Sequence, residues 1–294
     1  MTKRISSPKV TNDVIRQHKF TLKKSLGQNF LVDENILRKI VEAAGLTEES
    51  HVLEIGPGAG ALTQFLAESA RRVIAIEIDQ RLEPILNETL QGYENVSVRF
   101  GDVLKMDLQQ VITEECPPDV PITVVANLPY YVTTPILMKL LTGDVPIQTI
   151  VVMVQKEVAG RLGAVPGEKS YGSLSIAVQY MADPEIIMTV PKTVFVPQPN
   201  VDSAVIRLNV RPDKKVEVAD EAFFFRLVRA SFAQRRKTLV NNLMNNLFSK
   251  DKKDEILAVL NAVGIDPGRR GETLTIHEFA KLSDHFQNLI NEQE

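Results

Sequence analysis

The sequence predicts an α/β domain built on a mostly parallel sheet with an antiparallel edge hairpin, followed by a small all-helical domain. Three observations predict it. Short apolar runs alternate with helical ones between His51 and Val154. Two further β-like runs, Ile186–Val190 and Ser203–Val210, then succeed each other without a helix. Beyond Pro212 the pattern is helical only.

Taken in order, Asp33 reads as an N-cap, and Ile36, Leu37, Ile40, Val41 and Ala44 repeat at helical spacing until Gly45 ends the run. His51–Ile55 and Arg72–Ile78 read as buried strands, with Leu62–Ser69 as the helix between them. Val96–Phe100, Ile122–Ala126 and Thr149–Val154 are further strands separated by helical stretches, which implies βαβ units and a parallel sheet. The proline-rich stretch from Pro191 to Pro199 joins the last two strands directly, as in an antiparallel hairpin at a sheet edge. Phe223–Asn246 then reads as one amphipathic stretch, and Glu255–Val263 as another, closed by Gly264. Thr275 to Glu278 forms a capping box that opens a helix with Phe279, Leu282, Phe286 and Leu289 on one face. The boundary falls near residue 211: residues 1–211 form the α/β domain and 212–294 the helical one.

Composition agrees. At roughly 150 residues per domain, 294 residues predict about two domains. With 44% hydrophobic and 24% charged residues, disordered, coiled-coil and collagen-like classes are excluded. The single cysteine, Cys116, cannot form an internal disulfide, and no Cys/His cluster has zinc spacing. No metal is expected, and a reducing, cytoplasmic location is. No apolar segment follows the basic N-terminus, so a secretory signal is not expected. The longest uncharged run, Val120 to Met138, contains three prolines and an asparagine and is not a membrane span.

The net charge of −3 conceals an asymmetry. Residues 1–30 carry seven Lys/Arg and one acid, whereas residues 77–119 carry ten acids and three bases. Residues 224–240 hold Arg226, Arg229, Arg235, Arg236 and Lys237 with no acid. Two basic ends could flank a polyanion while the acidic middle faces elsewhere. A solvated face is the alternative reading.

The first strand runs into Glu54-Ile55-Gly56-Pro57-Gly58-Ala59-Gly60, and a helix follows. Such a turn lets backbone approach a ligand closely. Gly56, Gly58 and Ala61 also satisfy the dinucleotide pattern, so a nicotinamide enzyme stays open at this point. Glu77, 21 residues beyond Gly56, ends the second strand, where a carboxylate can accept ribose hydroxyls. Asp102 follows the third strand at the same sheet edge and could accept from an adenine amino group.

Asn127-Leu128-Pro129-Tyr130, at the end of the fourth strand, suggests a specific chemistry. A purine's exocyclic amine is a poor nucleophile because its lone pair is delocalised into the ring. The Asn127 side-chain carbonyl and the Leu128 backbone carbonyl could accept both N–H groups and reorient that lone pair. Pro129 stiffens the turn. Tyr130 offers a face on which a flipped base could stack. A sulfonium methyl donor needs no metal and no nucleophilic triad, so alignment and charge stabilisation would suffice.

Asn127-Leu128-Pro129-Tyr130, Glu54-Ile55-Gly56-Pro57-Gly58 and Ser25-Leu26-Gly27-Gln28-Asn29-Phe30-Leu31 together resemble the ribosomal RNA adenine N6,N6-dimethyltransferases. Further matching stretches are Gln155 to Val158, Tyr171 to Ser175, Phe195 to Ser203 and Phe232 to Lys237, so the likeness covers nearly the whole chain. The resemblance implies a Rossmann-like class I S-adenosylmethionine-dependent methyltransferase domain and a helical RNA-binding domain. It implies that Asn29, Leu31, Gly56, Glu77, Asp102 and Asn127 hold S-adenosylmethionine. It places Asn127, Leu128, Pro129 and Tyr130 at the chemistry, with Tyr130 and Phe195 around the target adenine, although Phe195 between two valines also reads as core. Arg235, Arg236 and Lys237 would meet the RNA backbone.

Phe232 to Lys237 and Gly264 to Glu272 are similar to the housekeeping branch of that family. That branch dimethylates two adjacent adenosines in a hairpin loop near the 3′ end of 16S RNA during small-subunit biogenesis. The expected partner is the small ribosomal subunit, and the expected state is a monomer. Two alternatives accompany this reading. One is a large-subunit RNA adenine methyltransferase conferring macrolide resistance, and the other an RNA-binding ribosome-assembly factor with secondary methylation.

Overall fold

The computed structural model describes residues 4–23 and 27–291. Ser25 and Leu26, which open one of the family-like motifs, lie outside the described residues, as does the Leu289 side chain. The chain forms two compact units: Met1–Ala159 with Asp183–Val210, and Gly160–Ala182 with Arg211–Glu294.

The chain begins with α1 (Pro8–Gln17), β1 (Phe30–Leu31), α2 (Glu34–Ala44), β2 (His51–Ile55), α3 (Ala61–Ala67), β3 (Arg72–Glu77) and α4 (Glu83–Thr89). It continues through β4 (Val96–Phe100), α5 (Leu108–Thr113), β5 (Ile122–Asn127), α6 (Thr133–Thr142), β6 (Ile147–Gln155), α7 (Lys156–Leu162) and α8 (Ser173–Met181). Then follow β7 (Ala182–Val190), β8 (Phe195–Val196) and β9 (Ser203–Val210).

Seven strands form one sheet in the order β4-β3-β2-β5-β6-β9-β7, with β4 through β6 parallel and β9 antiparallel to β6. All five residues of β2 are buried, as expected of a central parallel strand covered on both faces. The sheet grows outward from β2 to β4 in one direction and from β5 in the other. The crevice between β2 and β5 is therefore the topological switch point, where open α/β sheets hold ligands. Of the expected edge hairpin, β9 lies inside, between β6 and β7, and β7 is the edge. The remaining pair, β1 and β8, is a separate two-stranded ribbon matching Leu31 to Phe195.

Local signals fix the ends of elements. Asp33 Oδ1 accepts from the Ile36 N–H at 3.1 Å to cap α2, and Gly45 closes it at φ +61°.

The second unit contains α9 (Glu221–Ser231), α10 (Leu239–Asn246), α11 (Lys253–Ala262) and α12 (Ile276–Asn291) around Tyr180, Phe223, Phe224, Phe279 and Phe286. The expected cut near residue 211 put Gly160–Ala182 with the sheet; that segment packs here instead. Its Tyr171, Ile176 and Tyr180 supply apolar bulk to the helical core, and the Tyr171 hydroxyl donates to Leu274 O at 2.9 Å. Thr275 and Glu278 cap α12 reciprocally, at 2.8 and 3.2 Å.

The single amphipathic stretch expected over Phe223–Asn246 is two helices with a turn at residues 232–238. Two side chains break it. The Thr238 hydroxyl caps α10 by accepting from the Asn241 N–H. Asn242, 1% exposed, accepts from the Gln234 N–H at 3.1 Å and donates to Ser231 O and Gln234 O. These bonds give the turn's backbone groups the partners a continuous helix would have given them.

Candidate active site

A cavity of about 250 Å³ opens at the switch point and is lined by the loops that the sequence singled out. Asn29, Leu31, Gly56, Glu77, Asp102, Asn127, Leu128, Pro129, Tyr130 and Phe195 all line it. All belong to the first unit.

The glycine turn forms one wall. Gly56 and Gly58 have φ of +74° and +59°, a region that favours glycine. A Cβ on Gly58 would meet the Phe30 ring at 2.8 Å, and one on Gly56 would lie 3.6 Å from Asn127 O. Gly58 thus lets the turn pack against Phe30, whereas Gly56 is required by its backbone angle alone.

Glu77 is 4% exposed, and its two oxygens accept from the Gly58 N–H at 3.1 Å and the Asp79 N–H at 2.9 Å. Burial pushes its carboxyl above the usual range, while these two N–H donors pull it back. Each oxygen retains a lone pair for a ligand hydroxyl. Across the mouth, Asp102 Oδ1 accepts from the Leu104 N–H at 3.0 Å. Lys139 of α6 donates to Leu104 O and Met106 O at 3.0 and 2.6 Å, fixing the loop that carries Asp102.

At the end of β5, Asn127 Nδ2 donates to Asn29 O at 3.3 Å, and Asn29 Nδ2 donates to Gly27 O at 3.0 Å. With one amide N–H held by Asn29 O, the side chain is oriented and Asn127 Oδ1 remains an acceptor at the cavity. The Leu128 N–H donates to Met153 O at 3.2 Å, anchoring the turn to β6. The Tyr130 hydroxyl shares a hydrogen bond of 2.9 Å with Ser203 Oγ, which holds the ring, and burial raises the phenol above its ordinary value. Phe195 is 3% exposed and packs in the core behind β1, so it is a core residue that also meets the cavity.

Sequence reasoning missed Glu54. It is 1% exposed, lines the cavity, and neither carboxylate oxygen has a hydrogen-bond partner among the described residues. Burial pushes it up to about 8; the nearby Thr63 hydroxyl works against this and the Glu77 charge adds to it. The available signal was a carboxylate inside the apolar run His51–Ile55. Ser203 was missed as well, although it ends a motif already singled out.

Arg235, Arg236 and Lys237 belong to the second unit and lie on the turn before α10, not on a helix face as expected. Arg235 donates to Lys169 O and pairs with Glu272 at 3.6 Å, so it is tied within its own unit. Arg236 and Lys237 are exposed.

A family model described as ribosomal RNA adenine dimethylase matches residues 19–284. A ribosomal RNA small subunit methyltransferase A from Geobacillus sp. (strain WCH70) is 60% identical over 291 residues, covering 99% of this chain and 100% of that protein. One from Bacillus mycoides (strain KBAB4) is 59% identical over 283 residues, covering 96% and 97%. Among solved structures, a dimethyladenosine transferase from Plasmodium falciparum superposes with a TM-score of 0.74 at 28% identity, covering 87% of this chain and 96% of that one. The 23S rRNA methyltransferase ErmE gives 0.67 at 28%, covering 88% and 99%.

Proposed function

The chain belongs to the ribosomal RNA adenine dimethylase family, and on that premise we propose that it methylates N6 of two adjacent adenosines near the 3′ end of small-subunit ribosomal RNA. S-adenosylmethionine is the methyl donor. Its product is dimethyladenosine, and it acts as a cytoplasmic monomer without a metal during small-subunit biogenesis.

The residues present fit that cofactor. The unpartnered Glu54 carboxylate suits the amino-acid ammonium group, which would relieve its buried charge. Glu77 suits the ribose hydroxyls and Asp102 the adenine amine. Gly56 and Gly58, both at positive φ, give the turn the backbone path that lines the cavity. When bound, S-adenosylmethionine supplies a methyl group on a positively charged sulfur.

The Asn127 amide carries the reading, because its nitrogen is held by Asn29 O and its oxygen is left to accept. Asn127 Oδ1 and Leu128 O take the two N–H groups of the target amine and turn its lone pair out of conjugation. As the S–CH3 bond breaks and the N–CH3 bond forms, the nitrogen becomes positive and the sulfur neutral; the two carbonyl dipoles stabilise the new charge until the proton passes to water. Tyr130, held by Ser203, stacks the base so that nitrogen and methyl stay in line.

Two methyl groups on one nitrogen require no second site. The monomethylated amine still has one N–H for Asn127 to accept, and a lone pair that the same contact turns out of conjugation.

In the helical unit, residues 212–294 carry the RNA-backbone contact. Arg235, Arg236 and Lys237 are all exposed, but Arg235 also holds the turn through Lys169 O and Glu272, so Arg236 and Lys237 are assigned the phosphate contacts. Arg236→Gln with Lys237→Gln should flatten the slope of log affinity against log salt by about 1.4–1.8, the release expected of two phosphate contacts. S-adenosylmethionine affinity should stay unchanged. Loss of thermal stability with an intact salt slope would make both residues structural.

The large-subunit alternative is not favoured, since the relatives near 60% identity carry the small-subunit name while ErmE stands at 28%. Incubation with labelled S-adenosylmethionine and either unmodified small or unmodified large subunits separates the readings. Label should enter small subunits only. Tight binding to small subunits without label would favour the assembly-factor alternative.

A further inference from the structure

The family match begins at residue 19, yet residues before it are built into the cofactor cavity. Thr11 lines the cavity. Ile5, Thr11 and Val14 are 0, 1 and 5% exposed, as buried as the central strands.

A chain of buried hydrogen bonds leads from this segment to the glycine turn. The Thr11 hydroxyl donates to Ile5 O at 2.8 Å, and the Ile5 N–H donates to Gln64 Oε1 at 3.1 Å. Gln64 lies in α3, the helix that follows the turn, and is 1% exposed. Its Nε2 donates to Thr89 O at 2.8 Å. The Thr89 hydroxyl then donates to Ala59 O at 2.9 Å, inside the turn itself. A Cβ on Gly60 would meet that hydroxyl at 2.9 Å, so the contact is close.

A parallel apolar link exists. Ile5 and Val14 share one cluster with Phe30, Ala59 and Leu82, and Phe30 is the ring packed against Gly58. Severing the polar relay strands a buried donor or acceptor at every break, and such groups move to find partners. The group with most freedom to move is the turn, because its glycines resist backbone change least.

We infer that residues 4–18 are a positioning element of the cofactor site, acting through Gln64 and Thr89 on the glycine turn. The ligand side of this inference rests on the S-adenosylmethionine reading of the cavity. The segment touches no reacting atom. It sets where the turn's backbone stands when the cofactor arrives.

The test uses the full chain with Gln64→Leu, Thr89→Val and both together, titrated with S-adenosylmethionine by calorimetry and followed by amide exchange. Each single variant should weaken binding by about fivefold, in keeping with one lost buried hydrogen bond. The double variant should weaken it by little more than the worse single, because both cut the same relay. The rate at saturating cofactor and the KM for small subunits should stay within about twofold. In cofactor-free protein, either variant should speed exchange of the Gly60 amide, and in the wild type cofactor should slow exchange at Ile5.

If the melting temperature falls while cofactor affinity and Gly60 exchange stay at wild-type values, the segment is packing alone and the inference is overturned. Should Gln64→Leu not fold, Thr89→Val decides by the same two readouts, since it keeps the side-chain shape. A wild-type chain that failed to bind S-adenosylmethionine would count against the cofactor reading instead, and Gly60 exchange would still decide the relay.

Discussion

Asn127→Ala should lower methyl transfer by roughly two orders of magnitude or more, with ribosomal RNA affinity nearly unchanged. The substitution removes Oδ1, one of two acceptors for the target amine, and with it the alignment that makes the lone pair available. It also removes the Nδ2 bond to Asn29 O, so a modest rise in the KM for cofactor should accompany the loss. Affinity for RNA rests mostly on phosphate contacts, and one base-edge contact is small beside them. Asn127→Asp makes the interpretation stricter. It keeps an acceptor but loses the donor to Asn29 O, so the side chain is no longer held, and turnover should fall there too. Single-turnover kinetics separate chemistry from binding. Near-normal turnover in Asn127→Ala would remove Asn127 from the reaction.

Glu54→Gln should weaken S-adenosylmethionine binding at least tenfold, about 1.4 kcal/mol, while making the cofactor-free protein more stable at pH 8. Burial raises the Glu54 carboxyl from the ordinary 4.5 to about 8 in the folded chain. Between those values the folded state holds a proton that the unfolded state has released, so stability falls as pH rises from about 4.5 to 8. A glutamine does not titrate and removes that slope. Its advantage should be absent below pH 4.5, grow through the window and level off above pH 8, on the order of 1–3 kcal/mol, the usual range for an uncompensated buried polar group. The cofactor's cationic end needs the ionised carboxylate, so wild-type affinity should rise through the same window and Glu54→Gln affinity should not. Thermal melts and calorimetry at pH 6.5 and 8.5 read both effects. Equal cofactor affinity in the two proteins at pH 8.5 would detach Glu54 from the site.

Much of this was legible because chemistry and chain order coincide at a parallel sheet edge. Each of Gly56, Glu77, Asp102 and Asn127 closes a strand run or follows one at once, so periodicity alone puts them on one side of the sheet. What stayed illegible depended on partners far away in sequence. Glu54 sits in an apolar strand like any other residue, and only the folded sheet shows that its carboxylate has no hydrogen-bond partner among the described residues. The basic cluster looked helical because Phe223–Asn246 keeps an amphipathic period. The break at residues 232–238 comes from Asn242 reaching back to Ser231 and Gln234. Gly160–Ala182 carries no boundary signal, since its aromatics show their allegiance only against Phe223 and Phe279. The first helix had a readable start in Ser7-Pro8, a capping residue before a proline, but only its buried contacts reveal what it does.

The central claim is that Asn127, at the switch point of the sheet, presents a carbonyl to an adenine amine beside bound S-adenosylmethionine. Its most direct test is mass-spectrometric mapping of small-subunit RNA after reaction with isotopically labelled S-adenosylmethionine, using the wild-type chain and Asn127→Ala in parallel. The account predicts labelled N6,N6-dimethyladenosine at two adjacent positions near the 3′ end with the wild type, and almost none with the variant. Label on a ribose, on a pyrimidine, or on the same adenosines at equal yield with both proteins would contradict it.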